Sequence, residues 1–238
     1  ISHEAMSLAG HLKLKNLIML FDNNSISIDG PTSLAVSDNF KKRFESYGWN
    51  YIIIDGHNEK EIFKVLKKVQ LAKKPTVISC KTKIGYGSPN KSGKSSSHGS
   101  PLGLDEIKLV RNALNWKYRP FKIPSKFLNQ WKKIGKKGQL IENKWNKLYK
   151  KRKKNIDKLI KNNFIKVLKT EKQKAIQELK SLATRKSSEL ALNALTRINN
   201  TLIGGSADLA GSNNTKTKYH KITKPGDFNS DYIHYGVR

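Results

Sequence analysis

The chain has 238 residues, with 47 Lys plus Arg against 18 Asp plus Glu and a formal net charge of +29. No apolar run approaches the roughly 20 residues that a bilayer-spanning helix needs, and the lone Cys80 excludes a disulfide framework and reads as a reduced, buried strand residue. The basic excess is nearly all Lys, with Asn and Ile enriched alongside, so it reads as solvated surface and not as the Arg forks and interleaved aromatics of a specific nucleic-acid reader.

In chain order, residues 4–13 read as a short helix and Leu17–Phe21 as an apolar strand. That strand runs into four small polar residues, Asp22-Asn23-Asn24-Ser25, and then Ile26-Ser27-Ile28. Ser37 or Asp38 is positioned to cap a helix carrying Phe40, Phe44 and Tyr47 and ended by Gly48. Tyr51–Ile54 is a continuous apolar run of the kind buried on both faces of a parallel sheet. Ile62, Val65, Leu66 and Val69 follow at helical spacing, and Pro75 introduces the strand Thr76–Cys80. Alternating strands and helices predict an α/β layer.

Residues 84–103 form a long loop of Gly, Ser and Pro, a length that marks function or disorder. A helix resumes over Leu104–Leu114. Residues 125–180 read as Lys-rich helices anchored by Trp131, Trp145 and Leu148. A second α/β pattern then begins: a helix over Ser187–Ile198, a short strand Thr201–Ser206 running into a tight Gly turn, and a strand-plus-loop over Tyr232–Arg238. The Ile1 start and abrupt end suggest an internal fragment.

The chemistry sits in the loops. An amide oxygen at Asn24 and the Ile26 carbonyl two residues on would suit a hard cation such as Mg²⁺, which takes few protein oxygens and prefers phosphate for the rest. An Asn-rich turn with no ligand is the alternative. In open α/β sheets, ligands lie beyond the carboxyl ends of strands, where this segment falls. Ser97-His98-Gly99 sets a histidine between small residues, a close-approach arrangement or simply an exposed side chain. Gly204-Gly205-Ser206 lacks the spacing of a dinucleotide fingerprint. Walker loops, zinc-ligand spacings and nucleophile elbows are absent from the sequence.

Several segments together resemble transketolase, in the same order: Ile1-Ser-His-Glu4 through Ser7-Leu-Ala-Gly10, Asp22 to Gly30, Arg43-Phe-Glu-Ser-Tyr-Gly-Trp49, Cys80 to Lys91, Ser97-His-Gly-Ser-Pro-Leu-Gly103, and Gly204-Gly-Ser-Ala-Asp-Leu-Ala210. The resemblance is faintest across 125–180. It implies a thiamine-diphosphate-binding fold, a parallel sheet flanked by helices. Residues 1–124 would be the C-terminal portion of the domain that binds diphosphate and metal. Residues 125–180 would be a helical connection, and 181–238 the truncated start of a second, similar domain that binds the pyrimidine.

The same resemblance implies transfer of a two-carbon ketol unit from a ketose phosphate to an aldose phosphate. Thiamine diphosphate would be the cofactor and Mg²⁺ the metal, with Ca²⁺ or Mn²⁺ as substitutes. It also implies a cytoplasmic homodimer with no membrane partner and no specific nucleic acid. By match to the family motifs, Asn24 is the side-chain metal ligand and Ile26 the carbonyl ligand. Ile28 packs beside the thiazolium ring. His98 contacts both diphosphate and sugar, and is the catalytic residue. Asp208 lines the cofactor site, and Arg185 with Ser212 grips the sugar phosphate. Glu4 matches a glutamate near the dimer axis. The family usually has Gly at Ser25 and Pro at Gly211. Its Gly-Asp-Gly aspartate would precede Ile1 and its activating glutamate would follow Arg238, so the chain alone is expected to be inactive. Dihydroxyacetone synthase and deoxyxylulose-phosphate synthase are the near alternatives. A basic nucleic-acid-binding protein is the alternative of a different class.

Overall fold

A computed structural model describes residues 2–160, 164–178 and 181–237. Ile1 and Arg238, at the ends of two of the motifs above, lie outside the described residues, as do parts of the helical 125–180 stretch. Contacts divide the chain into two units, residues 1–124 and 125–238.

The first unit is built on a three-stranded parallel sheet in the order β1-β5-β4, with β1 Ile18–Asn23, β4 Asn50–Asp55 and β5 Thr76–Lys81. β5 is central, and not the more apolar β4, which pairs with β5 alone among these strands and leaves Ile53 52% exposed, contrary to burial on both faces. Pro75 to Ser79 are all buried, Val77 facing one layer and Ile78 the other. On one face Val77 joins Ala9 from α1 (Ser2–His11), Phe44 from α2 (Phe40–Ser46) and Trp49. Phe44 lies edge-on to Trp49, ring centroids 5.9 Å apart, and stacks on Tyr51 at the same separation. On the other face Ile78 and Ile54 meet Val65 and Val69 of α3 (Glu59–Val69).

Three features differ from expectation for local reasons. The N-cap of α2 is Asn39, whose side chain accepts from the Lys42 N–H at 2.9 Å, and not Ser37 or Asp38. Asp38 is drawn off by the Arg43 guanidinium. The segment after Asn24 is not merely a turn but a small antiparallel hairpin, β2 (Ile26–Ser27) with β3 (Gly30–Pro31). Cys80 is half-buried, and its thiol is pushed up by that burial and then by Asp22. α4 (Leu104–Ala113) closes the unit after the long loop.

In the second unit, α5 (Ser125–Ile160) and α6 (Phe164–Glu178) carry the Lys-rich stretch. Trp131, Trp145 and Leu148 are exposed there and do not act as anchors, although Trp145 stacks on Tyr149 at 5.1 Å. α7 begins at Thr184, ahead of the expected Ser187, and runs to Ile198. β6 (Gly204–Ser206) pairs in parallel with β7 (Tyr232–His234). The two glycines are therefore strand residues and not a tight turn. A Cβ on Gly204 would lie 3.1 Å from the Tyr232 ring, and one on Gly205 would lie 2.6 Å from the Tyr235 ring. Their bareness lets the fully buried Tyr232 seat itself. The short helix α8 spans Ala210–Asn213.

Among the described residues no helix is long and apolar enough to cross a membrane.

Candidate functional site

The parallel pairing of β1 with β5 brings both carboxyl ends to one edge of the sheet, and the two segments singled out in the sequence leave from that edge. The polar residues there divide the work. Asp22 accepts a short hydrogen bond from the Thr82 hydroxyl, and Asn23 Nδ2 donates to the buried Ser79 hydroxyl at 3.3 Å. Both are engaged with the neighbouring strand. Asn24 is bonded within its own segment and not to the strand: its Oδ1 accepts from the Ile26 N–H at 3.0 Å.

The register of the hairpin fixes where the Ile26 carbonyl points. Thr32 N–H donates to the Ser25 carbonyl at 3.0 Å, so Ser25 and Thr32 form a hydrogen-bonded pair. Ile26 and Pro31, the next pair, are then the non-hydrogen-bonded kind. In such a pair both backbone groups face away from the partner strand, which suits Pro31, since it has no N–H to give. The Ile26 N–H and C=O thus turn to the side on which Asn24 stands. One amide oxygen and one carbonyl, both neutral and both oxygen, make a donor set suited to a hard divalent cation whose remaining ligands come from elsewhere. No cluster of three or more His, Cys, Asp or Glu able to hold a metal occurs among the described residues. Ser25 holds φ +61°, the left-handed region that favours glycine. Ile28, at the hairpin tip, is 72% exposed, an apolar side chain with nothing over it.

The second segment leaves β5 and is tied down along its length. His57, after β4, stacks on Tyr86 with ring centroids 4.0 Å apart, and its Nε2 accepts from the Lys83 N–H at 2.9 Å. Gly85 has φ +62°, and a Cβ there would meet Ser97 Oγ at 2.9 Å. The Ser97 hydroxyl donates to the Lys91 carbonyl at 2.6 Å. His98 follows a single 3₁₀ turn, Ser95–Ser97, with its N–H donating to the Ser95 carbonyl at 2.8 Å. Its ring is exposed, and Gly99 beside it leaves open space.

Under this loop lies a carboxylate the sequence did not flag. Glu106, in the first turn of α4, is 8% exposed. It accepts the Ser88 hydroxyl in a short hydrogen bond, and the Asn90 backbone N–H and side-chain amide at 2.9 Å each. The Ser88 hydroxyl first, then the two Asn90 donors, hold its carboxyl down at about 2, with the Lys91 charge adding and burial opposing. An acidic residue in a first helical turn reads from sequence as a partner of the helix dipole. Its actual partners lie 16 and 18 residues upstream.

The structure therefore brings Asn24, Ile26 and Ile28 onto one hairpin and places His98 on the loop leaving the adjacent strand. Asp208, Arg185 and Ser212 belong to the second unit. Arg185 is exposed in the first turn of α7. Asp208 has φ +62°, just ahead of α8, which carries Ser212. A Cβ on Gly211 would meet nothing within 4 Å, so that position has room for a larger residue.

A family model described as "Transketolase, thiamine diphosphate binding domain" matches residues 1–172. The chain is 42% identical to a transketolase of Buchnera aphidicola from Schizaphis graminum and 37% identical to one of Sinorhizobium medicae, in each case over the whole chain. It superposes on the crystal structure of Campylobacter jejuni transketolase with a TM-score of 0.84 at 34% identity, again over the whole chain and 37% of that structure. A Pichia stipitis transketolase in complex with sedoheptulose-7-phosphate gives 0.85 at 32% identity. The chain spans 37% of the length of the Buchnera relative and 35% of the Sinorhizobium one. With its α/β layer, the hairpin and loop at the carboxyl edge, and these matches, the chain belongs to the transketolase family.

Proposed function

We propose that the protein carrying this chain is a thiamine-diphosphate-dependent transketolase. It moves a two-carbon ketol unit from a ketose phosphate to an aldose phosphate, as a cytoplasmic homodimer in the sugar interconversions of the pentose phosphate pathway. The observation that supports the reading is the Asn24 Oδ1 held on the Ile26 N–H after the carboxyl end of β1, on the side to which the hairpin register turns the Ile26 carbonyl. Such a pair suits a divalent cation shared with a diphosphate, Mg²⁺ by the usual preference for few protein oxygens.

When bound, thiamine diphosphate supplies the nucleophilic carbon and the electron sink that breaking a ketose C–C bond needs. The chain's own residues do the rest. Asn24 and Ile26 fix the metal and with it the diphosphate. Ile28 gives the cofactor an apolar surface and excludes water there. Asp208 lines a cofactor site. His98 hydrogen-bonds diphosphate and sugar, and holds or moves a proton at a sugar hydroxyl. Arg185 and Ser212 take the substrate phosphate, a guanidinium fork and a hydroxyl matching a dianion. Phosphorylated sugars as substrates are supported by the sedoheptulose-7-phosphate complex of the Pichia stipitis relative.

The test is calorimetric titration of thiamine diphosphate, at saturating Mg²⁺, into the full-length protein and its Asn24→Ala variant. Loss of a metal ligand should weaken binding by at least about tenfold. Unchanged affinity would remove Asn24 from the site.

A further inference from the structure

Lys91 ties both stretches that flank His98. Its carbonyl accepts from Ser97 Oγ at 2.6 Å on one side, and its Nζ donates to the Leu102 carbonyl at 3.0 Å on the other. Lys91 is itself placed by its N–H, which donates to Ser88 Oγ at 3.0 Å. Ser88 Oγ in turn donates to Glu106, which also takes both Asn90 donors. Ser88 is buried as well, so this knot anchors the stretch between the Tyr86 contact with His57 and the exposed His98. Gly93 N–H to the Ile84 carbonyl at 2.8 Å closes the loop on itself nearer its start.

We infer that Glu106 is a positioning residue. Its carboxylate orders the 88–91 turn and, through Lys91, the segments on both sides of His98, so that the exposed imidazole is presented in one place. The inference rests on the reading of His98 as a site residue. It goes further by assigning the control of that histidine to a side chain that never meets the substrate. The chemistry explains the residue type. Three donors converge on two oxygens, and only an ionised carboxylate offers acceptors alone. Glutamine would set its NH₂ against the Asn90 Nδ2, a clash relieved only by turning the Asn90 amide over, and would lack the charge that strengthens all three bonds.

The experiment uses the full-length protein, with sedoheptulose-7-phosphate as donor. Glu106→Ala should lower kcat by about 10- to 100-fold, the cost of a misplaced catalytic group. In native protein it should speed tryptic cleavage after Lys91 and Lys94 while the main melting transition stays in place. If Glu106 acts through His98, the double variant Glu106→Ala/His98→Ala should lose no more than His98→Ala alone. Glu106→Gln should show an intermediate loss. Adding Asn90→Asp should restore turnover, because the Gln NH₂ then finds an acceptor while its oxygen keeps the Ser88 and Asn90 backbone donors. Additive losses in the double variant would overturn the inference, as would unaltered loop cleavage in Glu106→Ala or failure of the Gln/Asp pair to rescue. Full turnover in His98→Ala would instead sink the reading of His98 and take the positioning role with it. Faster loop cleavage in Glu106→Ala would then show a clamp without a catalytic purpose.

Discussion

Gly10 lies where α1 crosses the chain between α2 and β4, and the crossing leaves no room for a side chain. A Cβ there would sit 1.7 Å from the Tyr47 carbonyl oxygen and 2.8 Å from its carbon, both backbone atoms that cannot swing aside. Gly10→Ala must therefore move the helix off the 47–49 turn by about 1.7 Å or more before the contact becomes an ordinary one. That shift breaks the hydrogen bond from Trp49 Nε1 to the Met6 carbonyl, 2.8 Å long, and leaves a donor on a buried ring without its partner. A buried donor left unmade costs about 1–3 kcal/mol. Parting Ala9 from Phe44, Trp49 and Val77 adds a misfit of about 1–3 kcal/mol. The sum, about 2–6 kcal/mol, corresponds to amide exchange in β5 faster by about 30-fold to about 20,000-fold, at a factor of ten per roughly 1.4 kcal/mol. Hydrogen exchange read by mass spectrometry on the peptide covering 74–82 measures this. Gly211→Ala, whose Cβ meets nothing within 4 Å, serves as the neutral control. Exchange in Gly10→Ala matching that control would refute the reasoning.

Ser25→Gly should raise stability by about 0.5–1 kcal/mol, because Ser25 sits at φ +61° and pays a left-handed cost that glycine does not; an unchanged or lowered urea midpoint would contradict it. Arg185→Ala should raise KM for phosphorylated acceptors by about tenfold or more while leaving that for free glycolaldehyde nearly unchanged, since a charged contact to phosphate is lost; equal losses would make Arg185 structural. Glu106 has a folded pKa of about 2 against an ordinary 4.5, so its contribution is fully present above pH 4.5 and is lost as pH falls from there toward 2. The amide protection factors of the 88–98 loop should therefore fall across that window in the parent and stay low throughout in Glu106→Ala, read by hydrogen exchange; unchanged protection in the parent would contradict it. His220 is pushed below its ordinary 6.5 mainly by burial, with Lys216 adding and Asp231 opposing, and its Nδ1 accepts the Thr217 N–H at 3.1 Å. Protonation would remove that acceptor, so the contribution is present above pH 6.5 and lost on acidification; the protection factor of the Thr217 amide should fall below that pH, and a constant protection factor would dismiss the effect.

The strands were legible because each is a compact apolar run: Ile18–Phe21, Tyr51–Ile54 and Thr76–Ser79 all fall inside strands of the structure. Elements made by distant partners were not. The hairpin at 26–31 has two-residue strands and a proline, too short for any periodicity to appear. Gly204-Gly205 looks like a turn until Tyr232 and Tyr235 arrive to lie against it. The helix cap went to Asn39 because Arg43, one turn on, claims Asp38. At the candidate site, residue types were readable but their division of labour was not. Nothing local separates Asn23, bonded to Ser79, from Asn24, bonded within its own segment. His57 and Glu106 went unseen for the same reason: their partners are 26 and 16–18 residues away.

The order β1-β5-β4 also sets a timetable for synthesis. The strand in the middle of the sheet is the last of the three to leave the ribosome. Until Lys81 has emerged, Asn23 has no strand partner among the three, and neither has Asp55. At about 5–20 residues per second, the interval between Asn23 and Lys81 lasts roughly 3–12 s. During it β1 carries Leu20, which stays 62% exposed even after the three strands have paired, with the backbone groups that β5 will take still unpaired to it. A nascent chain in that state is a substrate for the chaperones that bind extended apolar segments, and slowing translation anywhere between β4 and β5 lengthens its dependence on them.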